Sequence, residues 1–380
     1  MTSVSDSIWL SPCHPENSEM DFIQSAFAEN KLTTSGSNIL GFEEDVRSFL
    51  GTKKYITALN SGTSALHLAL KLADVQAGDE VICQTFSFAA TAFPILYEKA
   101  VPVFVDSEPE TWNLSPEFLE IAIQDRLKKG KNVKAIIAVD GYGMPFKVDE
   151  IQRIAKKYNI KLIEDAAAAL GSSYKEKKCG ALGDFSIISF NGNKIITTSS
   201  GGVLVCPTQK QAQKVSYWAT QSKAPTSFYH HTEAGYNYRM SNICAGIGRG
   251  QMQVLPNRIE SRRKNYDFYK KLFQNHPFVS VHSEPSKAYF SNHWLSCILI
   301  KKHPEVNPKS LIDFFRTENI ETRYLWKPLH LQPLFKDAPY YGNRLSEKLF
   351  RSGVCLPSGS SLSESDLSKI SATFTKIFSR

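Results

Sequence analysis

The 380-residue sequence has no apolar run close to the ~20 residues that a membrane-spanning helix needs. Its first twenty residues also lack the basic start and the apolar stretch of a signal peptide. There are only seven cysteines, an odd number, with no C-x-x-C pair, so neither a disulfide framework nor a zinc module is expected. We therefore expect a soluble cytoplasmic protein with no metal site and no membrane partner.

A dense basic surface, internal repeats and low-complexity segments are also missing. Lys and Arg number 45 against 37 Asp and Glu, but the excess is spread over short clusters such as residues 262–264. A nucleic-acid-binding protein usually carries a denser basic stripe, so no nucleic-acid partner is expected. Hydrophobic residues make up 42% and charged residues 22%, which is typical of globular domains.

What the sequence does contain is an alternation of short apolar runs with longer amphipathic ones. Strands are predicted at residues 55–59, 80–83, 101–105, 134–139 and 160–163, and helices at 63–72, 88–97, 116–127 and 148–157. This alternation predicts an α/β fold with a mostly parallel sheet covered by helices. Two further runs, 185–190 and 202–206, have no helix between them, so we expect the sheet to be mixed there.

The alternation ends near residue 245. A charged helix is predicted at 251–273, followed by a smaller α+β unit with a strand at 294–300 and helices at 311–318 and 364–378. Residues 276–287 and 340–343 are interpreted as loops. We therefore expect a large domain at 1–248 and a small C-terminal domain at 249–380.

Three segments that leave strands carry the candidate chemistry, because ligands bind beyond the carboxyl ends of parallel strands. Gly62 and Thr63 stand between a strand and a helix, where small residues and free N–H groups favour phosphate, although an ordinary turn has the same composition. Asp165 ends a buried strand, where it is either a helix N-cap or the partner of a protonated ring nitrogen. Lys194 lies between two strands, close to Phe190 and Ile195, whose apolar surroundings would lower its pKa.

Together these three features suggest pyridoxal phosphate. The seat would hold the phosphate, the carboxylate would keep the ring nitrogen protonated, and the lysine would hold the aldehyde as an imine. A dinucleotide-binding dehydrogenase would require G-x-G-x-x-G after the first strand, and Asn60-Ser61-Gly62-Thr63 does not supply it.

Several motifs match a known family in order and spacing. The segments LNSGTSALHLAL, IEDAAAALGS, SFNGNKIITTSSGGVLV and GYNYRMSN resemble the DegT/DnrJ/EryC1/StrS sugar aminotransferases of pyridoxal-phosphate fold type I, over nearly the whole chain. The segments HWLS, IETRYLWKPLHLQPLF and GVCLPSG are most similar to enzymes that aminate C4 of UDP-4-keto-6-deoxy-N-acetylglucosamine, as in bacillosamine-type pathways. The resemblance implies a ping-pong transfer of the amino group from L-glutamate.

The resemblance also implies residue roles. Lys194 matches the lysine that forms the internal aldimine, and Asp165 matches the partner of the pyridine nitrogen. The resemblance implies a phosphate seat at Gly62, Thr63 and Ser189 and, at Phe86, a ring that stacks on the cofactor. It implies a homodimer with shared sites, in which Asn237 reaches the phosphate in the partner subunit's site. It also implies contacts to the nucleotide sugar by Lys31, Leu32, Thr33, Trp326 and His330. Arg239 is left with two interpretations, binding of the glutamate carboxylate or bracing of the dimer.

Two positions depart from the family pattern, and several related activities stay open. Ala168 stands where a polar residue often approaches the cofactor, and Asp140 begins a run that is His-Leu-Tyr-Gly in the family. Amination at C3, or of a dTDP- or GDP-linked sugar, remains an alternative, as does a non-catalytic regulator that binds the cofactor or a nucleotide sugar. A sugar 3-dehydratase is disfavoured, because that branch replaces the lysine present here as Lys194.

Overall fold

The computed structural model describes residues 7–379, which form eleven α-helices, fifteen strands and a few single 3₁₀ turns. The helices are α1 (Ser18–Ala28), α2 (Ser37–Leu50), α3 (Gly62–Leu72), α4 (Phe93–Tyr97), α5 (Pro116–Lys128), α6 (Val148–Tyr158), α7 (Gln209–Ala219), α8 (Asn242–Leu272), α9 (Pro308–Thr317), α10 (Leu345–Ser352) and α11 (Glu364–Phe378). The strands are β1 (Tyr55–Leu59), β2 (Glu80–Gln84), β3 (Val101–Val105), β4 (Val133–Val139), β5 (Lys161–Asp165), β6 (Ser173–Tyr174), β7 (Lys177–Lys178), β8 (Phe185–Ser189), β9 (Gly202–Cys206), β10 (Val279–Val281), β11 (Tyr289–Phe290), β12 (Ser296–Ile300), β13 (Arg323–Tyr324), β14 (Tyr340–Tyr341) and β15 (Gly353–Leu356).

The large sheet has eight strands in the order β1-β9-β8-β5-β4-β2-β3-β14. Strands β8 to β14 in this order are parallel to one another, whereas β9 is antiparallel to both of its neighbours. The prediction of a mixed, mostly parallel sheet is therefore confirmed. Because β1, β5 and β8 run in the same direction, their carboxyl ends meet at one edge of the sheet.

Both faces of this sheet are buried. In β3, Val103 and Val105 belong to one apolar cluster while Phe104, between them, belongs to the cluster on the other face. Side chains alternate between the faces of a strand, so a strand covered on both sides reads as a continuous apolar run. This is why the central strands were recognisable from the sequence.

The C-terminal part forms a second sheet, of antiparallel strands in the order β10-β12-β15-β13, with its own apolar cluster under α9 and α11. The helix α8 passes through residue 248 without interruption, and β14 from this part adds to the large sheet beside β3. The division into two domains at residue 248 stays a prediction.

Four local predictions are wrong. Residues 276–287 and 340–343 contain β10 and β14, which are short strands defined by pairing with distant segments rather than by local composition. The helix expected at 88–97 is a 3₁₀ turn at Ala89–Thr91 followed by α4, which has Pro94 in its first turn. The helix expected from residue 251 begins at Asn242, where Ser241 caps it by accepting a hydrogen bond from the N–H of Cys244. Within residues 7–379, no helix combines the length and the apolarity that crossing a bilayer requires.

A buried polar cluster lies beneath the ends of β4 and β5. A carboxylate oxygen of Asp140, a carboxylate oxygen of Glu164 and the Sγ of Cys179 lie within 4.8 Å of one another. The Glu164 carboxylate accepts hydrogen bonds from the N–H groups of Gly180 and Leu182 at 2.7 Å and from the N–H of Gly183 and the hydroxyl of Ser186.

The second acid of the cluster, Asp140, accepts fewer hydrogen bonds than Glu164. One oxygen of Asp140 accepts from the N–H of Phe146, and the other has no partner among the described residues. Burial raises the pKa of Asp140 well above its usual value, and the neighbouring Glu164 carboxylate raises it further. The raised pKa favours the neutral, protonated form of Asp140 beside the Glu164 carboxylate. The ammonium of Lys54 donates to the carbonyls of Ala181 and Gly183 on the same loop.

We expect this proton to make folding stability depend on pH. The folded state holds a proton on Asp140 that the unfolded chain releases near the usual Asp pKa of about 3.9, so this group contributes less stability as pH rises, by up to about 1.4 kcal/mol per pH unit. Asp140→Asn removes that slope, because an amide stays neutral. Chemical denaturation from about pH 5 to about pH 9 measures the slope. Asp337→Asn, at an exposed position, is the control and should behave like the parent; equal slopes in the parent and Asp140→Asn would contradict the assignment.

Candidate active site

A cavity of about 600 Å³ opens at the edge of the large sheet where β1, β5 and β8 end. Three of its walls come from the segments that the sequence singled out: the start of α3, the end of β5 and the loop after β8. The cavity brings together Gly62, Thr63, Asp165, Ser189, Lys194 and Trp326, together with Leu10, Ser11, Ser87, Phe88, Thr91, Tyr142, Ala168, Trp294, Arg323 and Tyr324.

The first wall is the N-terminus of α3. Ser61 caps the helix by accepting a hydrogen bond from the N–H of Ser64 at 3.0 Å, and Gly62 and Thr63 of the same first turn line the cavity. The hydroxyl of Ser61 also lies 2.8 Å from that of Ser64. A helix start with free N–H groups favours a bound anion.

Close approaches of the backbone shape this seat. A side chain at Gly62 would place its Cβ 3.0 Å from Cβ of Ser189, and one at Gly202 would place its Cβ 2.5 Å from the backbone N of Gly62. Only glycine fits at position 202, because the atoms it would meet belong to the backbone. The turn between β1 and α3 is therefore in close contact with the start of β9. The pocket above this contact is lined by small residues, and its shape fits a phosphate group.

The second wall carries the Asp165 carboxylate, which is only 6% exposed. The hydroxyl of Thr91 donates to it at 2.9 Å, and the N–H of Ala167 donates at 3.1 Å. Burial raises the pKa of Asp165, while these hydrogen bonds and the positive charge of Lys194 oppose the rise. A cationic ring N–H in the cavity would complete the set of partners that a buried carboxylate requires.

The third wall carries Lys194 on the loop between β8 and β9. The backbone N–H of Lys194 donates to the carbonyl of Asn191 at 3.0 Å, which turns the chain, and its ammonium lies 4.4 Å from the centre of the Trp294 ring. The indole N–H of Trp294 donates to the carbonyl of Asn193 at 2.8 Å and so holds ring and loop together.

The surroundings change the acidity of this lysine. Burial lowers the pKa of Lys194 to about 8, while the attraction of Asp165 acts in the opposite direction. Roughly a tenth of the amine is therefore unprotonated at pH 7, far more than for an ordinary lysine, and an unprotonated amine is a nucleophile. The lysine, the carboxylate and the anion seat together fit an aldehyde cofactor that carries a phosphate and a basic ring nitrogen.

The aromatic ring at the cavity is not the predicted one. Phe86 is 1% exposed and packs with Tyr142 and Trp326, so it does not line the cavity. Phe88, two residues later, lines the cavity and is 63% exposed. The chain leaves β2 at Gln84, so the alternation of a strand no longer decides which ring points inwards.

The run that begins at Asp140 places an aromatic pair at the wall. The rings of Tyr142 and Trp326 stack with centroids 4.0 Å apart, and the Tyr142 hydroxyl accepts a hydrogen bond from the N–H of Trp326 at 2.7 Å. Ala168 lines the cavity beside them, with its carbonyl bound by the amide of Asn292 at 3.0 Å. The position three residues after Asp165 therefore faces the cavity without a polar side chain.

Two predicted ligand-binding residues have partners within the protein instead. His330 lies outside the cavity wall, with Nδ1 2.7 Å from the hydroxyl of Thr85 and its ring stacked on Tyr340. Arg239 also lies outside it, where the guanidinium donates to Glu43 at 2.6 Å and to the carbonyl of Ala58 at 2.9 Å. Arg239 thus joins α2 to the end of β1.

The remaining predicted residues are exposed and do not line this cavity. Lys31, Leu32 and Thr33 are exposed, and Asn242 fixes their loop by donating to the carbonyl of Lys31 and, from its N–H, to that of Thr33. Asn237 is exposed too, and its side-chain oxygen accepts from Gln221 at 3.2 Å.

Sequence reasoning missed the N-terminal contribution to the site. Leu10 and Ser11 line the cavity, and the Ser11 hydroxyl donates to the carbonyl of Asn193, next to Lys194. Nothing in the local sequence marks these two residues. Arg323 and Tyr324, by contrast, lie in the IETRYLWKPLHLQPLF segment, which already resembled the family.

Comparisons with known proteins agree with this geometry. The model of the DegT/DnrJ/EryC1/StrS aminotransferase family matches residues 15–375. The chain is 44% identical over 375 residues (98% of this chain, 96% of the relative) to a Bacillus subtilis (strain 168) protein named as the pyridoxal phosphate-dependent aminotransferase EpsN. It is 35% identical over 361 residues (95% and 96%) to GDP-perosamine synthase of Escherichia coli O157:H7.

Solved structures agree as well. A DegT DnrJ EryC1 StrS aminotransferase from Brucella abortus superposes with a TM-score of 0.89 at 28% identity, covering 96% of each chain. The expected fold type, the aminotransferase activity and the pyridoxal phosphate cofactor are thereby confirmed. This chain belongs to the DegT/DnrJ/EryC1/StrS aminotransferase family, whose members transfer amino groups to sugars.

Proposed function

We propose that this enzyme transfers the amino group of L-glutamate to the C4 ketone of UDP-4-keto-6-deoxy-N-acetylglucosamine in a ping-pong cycle. The observation that carries the proposal is the meeting of Lys194, Asp165 and the α3 anion seat in one cavity. The choice of C4 and of UDP is supported by the resemblance of the HWLS, IETRYLWKPLHLQPLF and GVCLPSG segments.

When bound, pyridoxal phosphate supplies an electrophilic aldehyde and a ring that accepts electrons. The start of α3 and Ser189 would hold its phosphate, and Asp165 would hold its ring nitrogen in the protonated form. Phe88, which lines the cavity, would pack against it in place of Phe86. Together these residues would fix the position of the reacting carbon relative to Lys194.

Lys194 has two tasks in this scheme. As a neutral amine, its Nζ would hold the cofactor between turnovers through the cofactor's aldehyde group. In the two halves of the cycle Nζ would take up the proton at the α-carbon of glutamate and supply a proton at C4 of the sugar. A positioned acid–base group of this kind contributes typically ~10²–10⁴ in rate.

We also propose a homodimer with shared active sites. Lys31, Leu32, Thr33 and Asn237 are exposed and do not line the cavity of their own chain. Large apolar side chains on α1 and α2, notably Phe27 and Leu40, are 62% and 67% exposed. An exposed apolar surface beside residues that match family ligand contacts supports a second copy packed here, with Asn237 reaching the phosphate of its partner's site.

The relative from Escherichia coli favours one alternative, a GDP-linked acceptor, because its name is that of a GDP-sugar synthase. A dTDP-linked sugar or amination at C3 requires only a few different contacts around the same cavity. In each of these alternatives the roles of Lys194 and Asp165 are unchanged.

The reaction is tested by its products. We expect the enzyme loaded with pyridoxal phosphate to convert glutamate and the UDP-4-keto sugar into equal amounts of 2-oxoglutarate and an aminated UDP-sugar, identified by mass spectrometry. GDP- and dTDP-linked 4-keto sugars and a UDP-3-keto sugar are offered in parallel. Turnover of the UDP-4-keto sugar no faster than that of these competitors would contradict the proposed acceptor.

Capture of the cofactor by Lys194 should depend on pH. Because the pKa of Lys194 is lowered to about 8, the cofactor-free enzyme should bond covalently to pyridoxal phosphate faster as pH rises through about 8, and level off above it. Absorbance followed by borohydride trapping and mass spectrometry measures the bond. Lys194→Ala should bind the cofactor without any covalent bond, whereas Lys161→Ala, at an exposed strand start, should match the parent. Trapping at another lysine would refute the assignment.

The two phenylalanines separate packing from cofactor contact. Phe86→Ala empties a buried site and should lower the free energy of unfolding by about 3–5 kcal/mol. Phe88→Ala removes an exposed ring and should leave stability nearly unchanged while weakening cofactor binding. Denaturation and cofactor titration of both variants measure the contrast. Cofactor binding unaffected by Phe88→Ala would remove this ring from the site.

A further inference from the structure

Arg262 is a buried cation whose hydrogen-bond acceptors are all neutral. The side chain lies on α8 and is only 1% exposed. Its guanidinium donates to the carbonyl of Trp294 at 2.6 Å, to the carbonyl of Ser358 at 3.2 Å and to the hydroxyl of Ser11 at 3.0 Å. Moving a guanidinium out of water costs free energy that neutral acceptors offset only in part.

The neighbouring arginines of α8 have acidic partners. Arg258, about one turn earlier, lies 2.5 Å from Glu16, and Arg263 lies 2.8 Å from Glu284. Within residues 7–379, Arg262 has no such ion pair, and its Nε has no hydrogen-bond partner. An unpaired buried charge destabilises a fold, so stability alone does not account for an arginine at this position.

Two of the three acceptors belong to residues that hold the loop of Lys194. The hydroxyl of Ser11 and the indole N–H of Trp294 both donate to the carbonyl of Asn193, each at 2.8 Å. Asn193 directly precedes Lys194, and the Trp294 ring lies 4.4 Å from the Lys194 ammonium. The two groups that bind this carbonyl are therefore connected by Arg262. We call Ser11, Asn193, Arg262 and Trp294 the Arg262 network.

The residues that Arg262 connects come from distant parts of the chain. Ser11 precedes α1, Trp294 precedes β12 and Ser358 follows β15. The N–H of Ser358 also donates to the carbonyl of Leu10 at 2.8 Å, so the N-terminal segment is fixed beside Ser11. A guanidinium presents several donors in fixed directions from one plane, and it can therefore hold three separate acceptors at once.

We propose that Arg262 is a positioning residue for the transfer reaction, an inference that rests on the role proposed for Lys194. By fixing Ser11 and the backbone of Trp294, the guanidinium fixes the Asn193 carbonyl and the ring beside the lysine Nζ. The amine is thereby kept at one distance from the cofactor and away from water. Arg262 does not line the cavity, so it acts through the loop and makes no contact with the substrate.

The test uses variants of the full-length enzyme that interrupt the Arg262 network at two points. Arg262→Met removes the guanidinium, and Ser11→Ala removes only the hydroxyl that joins it to the Asn193 carbonyl. The double variant measures the coupling between the two changes. Arg258→Met is the matched control, because Arg258 is 5% exposed, lies on the same helix and has its partners outside the Arg262 network.

The first measurement is the rate of the glutamate half-reaction in enzyme loaded with pyridoxal phosphate, followed by absorbance. We expect Arg262→Met to slow this step about ten- to a hundredfold, because misplacing a reacting group by about 1 Å costs rate on this scale. Ser11→Ala should have a smaller effect, and the double variant should be no slower than Arg262→Met, since both changes act on the same carbonyl. The affinity for pyridoxamine phosphate, which forms no bond with the lysine, should stay close to that of the parent.

The second measurement is the pH at which pyridoxal phosphate becomes covalently bound to the cofactor-free chain. In the parent this midpoint follows the pKa of Lys194, which burial lowers to about 8. A loosened loop admits water, so in Arg262→Met we expect the midpoint to move towards the ordinary lysine value of about 10.4. The other charged side chains that line the cavity, Asp165, Glu321 and Arg323, are the same in every variant.

The control and the smaller change decide the outcome. Arg258→Met should match the parent in both measurements. An unchanged rate and midpoint in Arg262→Met and Ser11→Ala would overturn the proposal, and so would equal losses in Arg262→Met and Arg258→Met. Should Arg262→Met fail to fold, Ser11→Ala decides by itself, because it removes one hydroxyl from a partly exposed residue.

Hydrogen exchange separates failure of this inference from failure of the proposed function. The backbone N–H of Lys194 donates to the carbonyl of Asn191, so its exchange reports on the loop whether or not the lysine bonds to the cofactor. Faster exchange in Arg262→Met, with no trapped bond at Lys194 in the parent, would contradict the proposed function. Normal exchange and an unchanged half-reaction in Arg262→Met, with the bond trapped in the parent, would contradict this inference alone.

Discussion

The burial of two ionisable groups of opposite charge at one end of the large sheet is the constraint on which the site depends. Taken singly, Lys194 and Asp165 would each be costly to place away from water. In the structure the burial of each is partly offset by the other, by the hydroxyl of Thr91 and by the Trp294 ring. The cost that remains appears as shifted pKa values: the lowered pKa of Lys194 favours a nucleophilic amine, and the raised pKa of Asp165 shows that its carboxylate lacks a full set of partners. The incomplete compensation of these buried charges is thus what shifts the pKa values of both groups.

Rigid surroundings hold these two groups in place. Next to Asp165 in β5, the Glu164 carboxylate accepts hydrogen bonds from backbone N–H groups of the loop at residues 180–183. The ammonium of Lys54 donates to backbone carbonyls of the same loop. On the other side, Gly202 allows β9 to touch the start of α3. Asp165 and Ser189 therefore belong to the sheet itself, whereas the start of α3, Phe88 and Lys194 lie on the segments that follow strands.

Residues 7–11 lie between the cavity and a groove of about 740 Å³ beside it. Their backbone is held by Asn319 and Glu321, so Ser11 lines the cavity while Trp9, from the same short segment, lines the groove.

The sequence by itself predicted the central strands and singled out three segments that the structure brings to one cavity, those of Gly62, Asp165 and Lys194, because apolar runs, glycine-rich turns and ionisable residues at strand ends are local signals. Tertiary structure alone decided that Phe88 rather than Phe86 reaches the cavity, that Arg239 pairs with Glu43 and that His330 contacts Thr85. It also decided that β10 and β14 are strands and that Leu10 and Ser11, from the N-terminal segment, line the cavity. Each of these outcomes depends on a partner far away in the chain, and no local pattern of residues reveals which distant partner a side chain or strand will find.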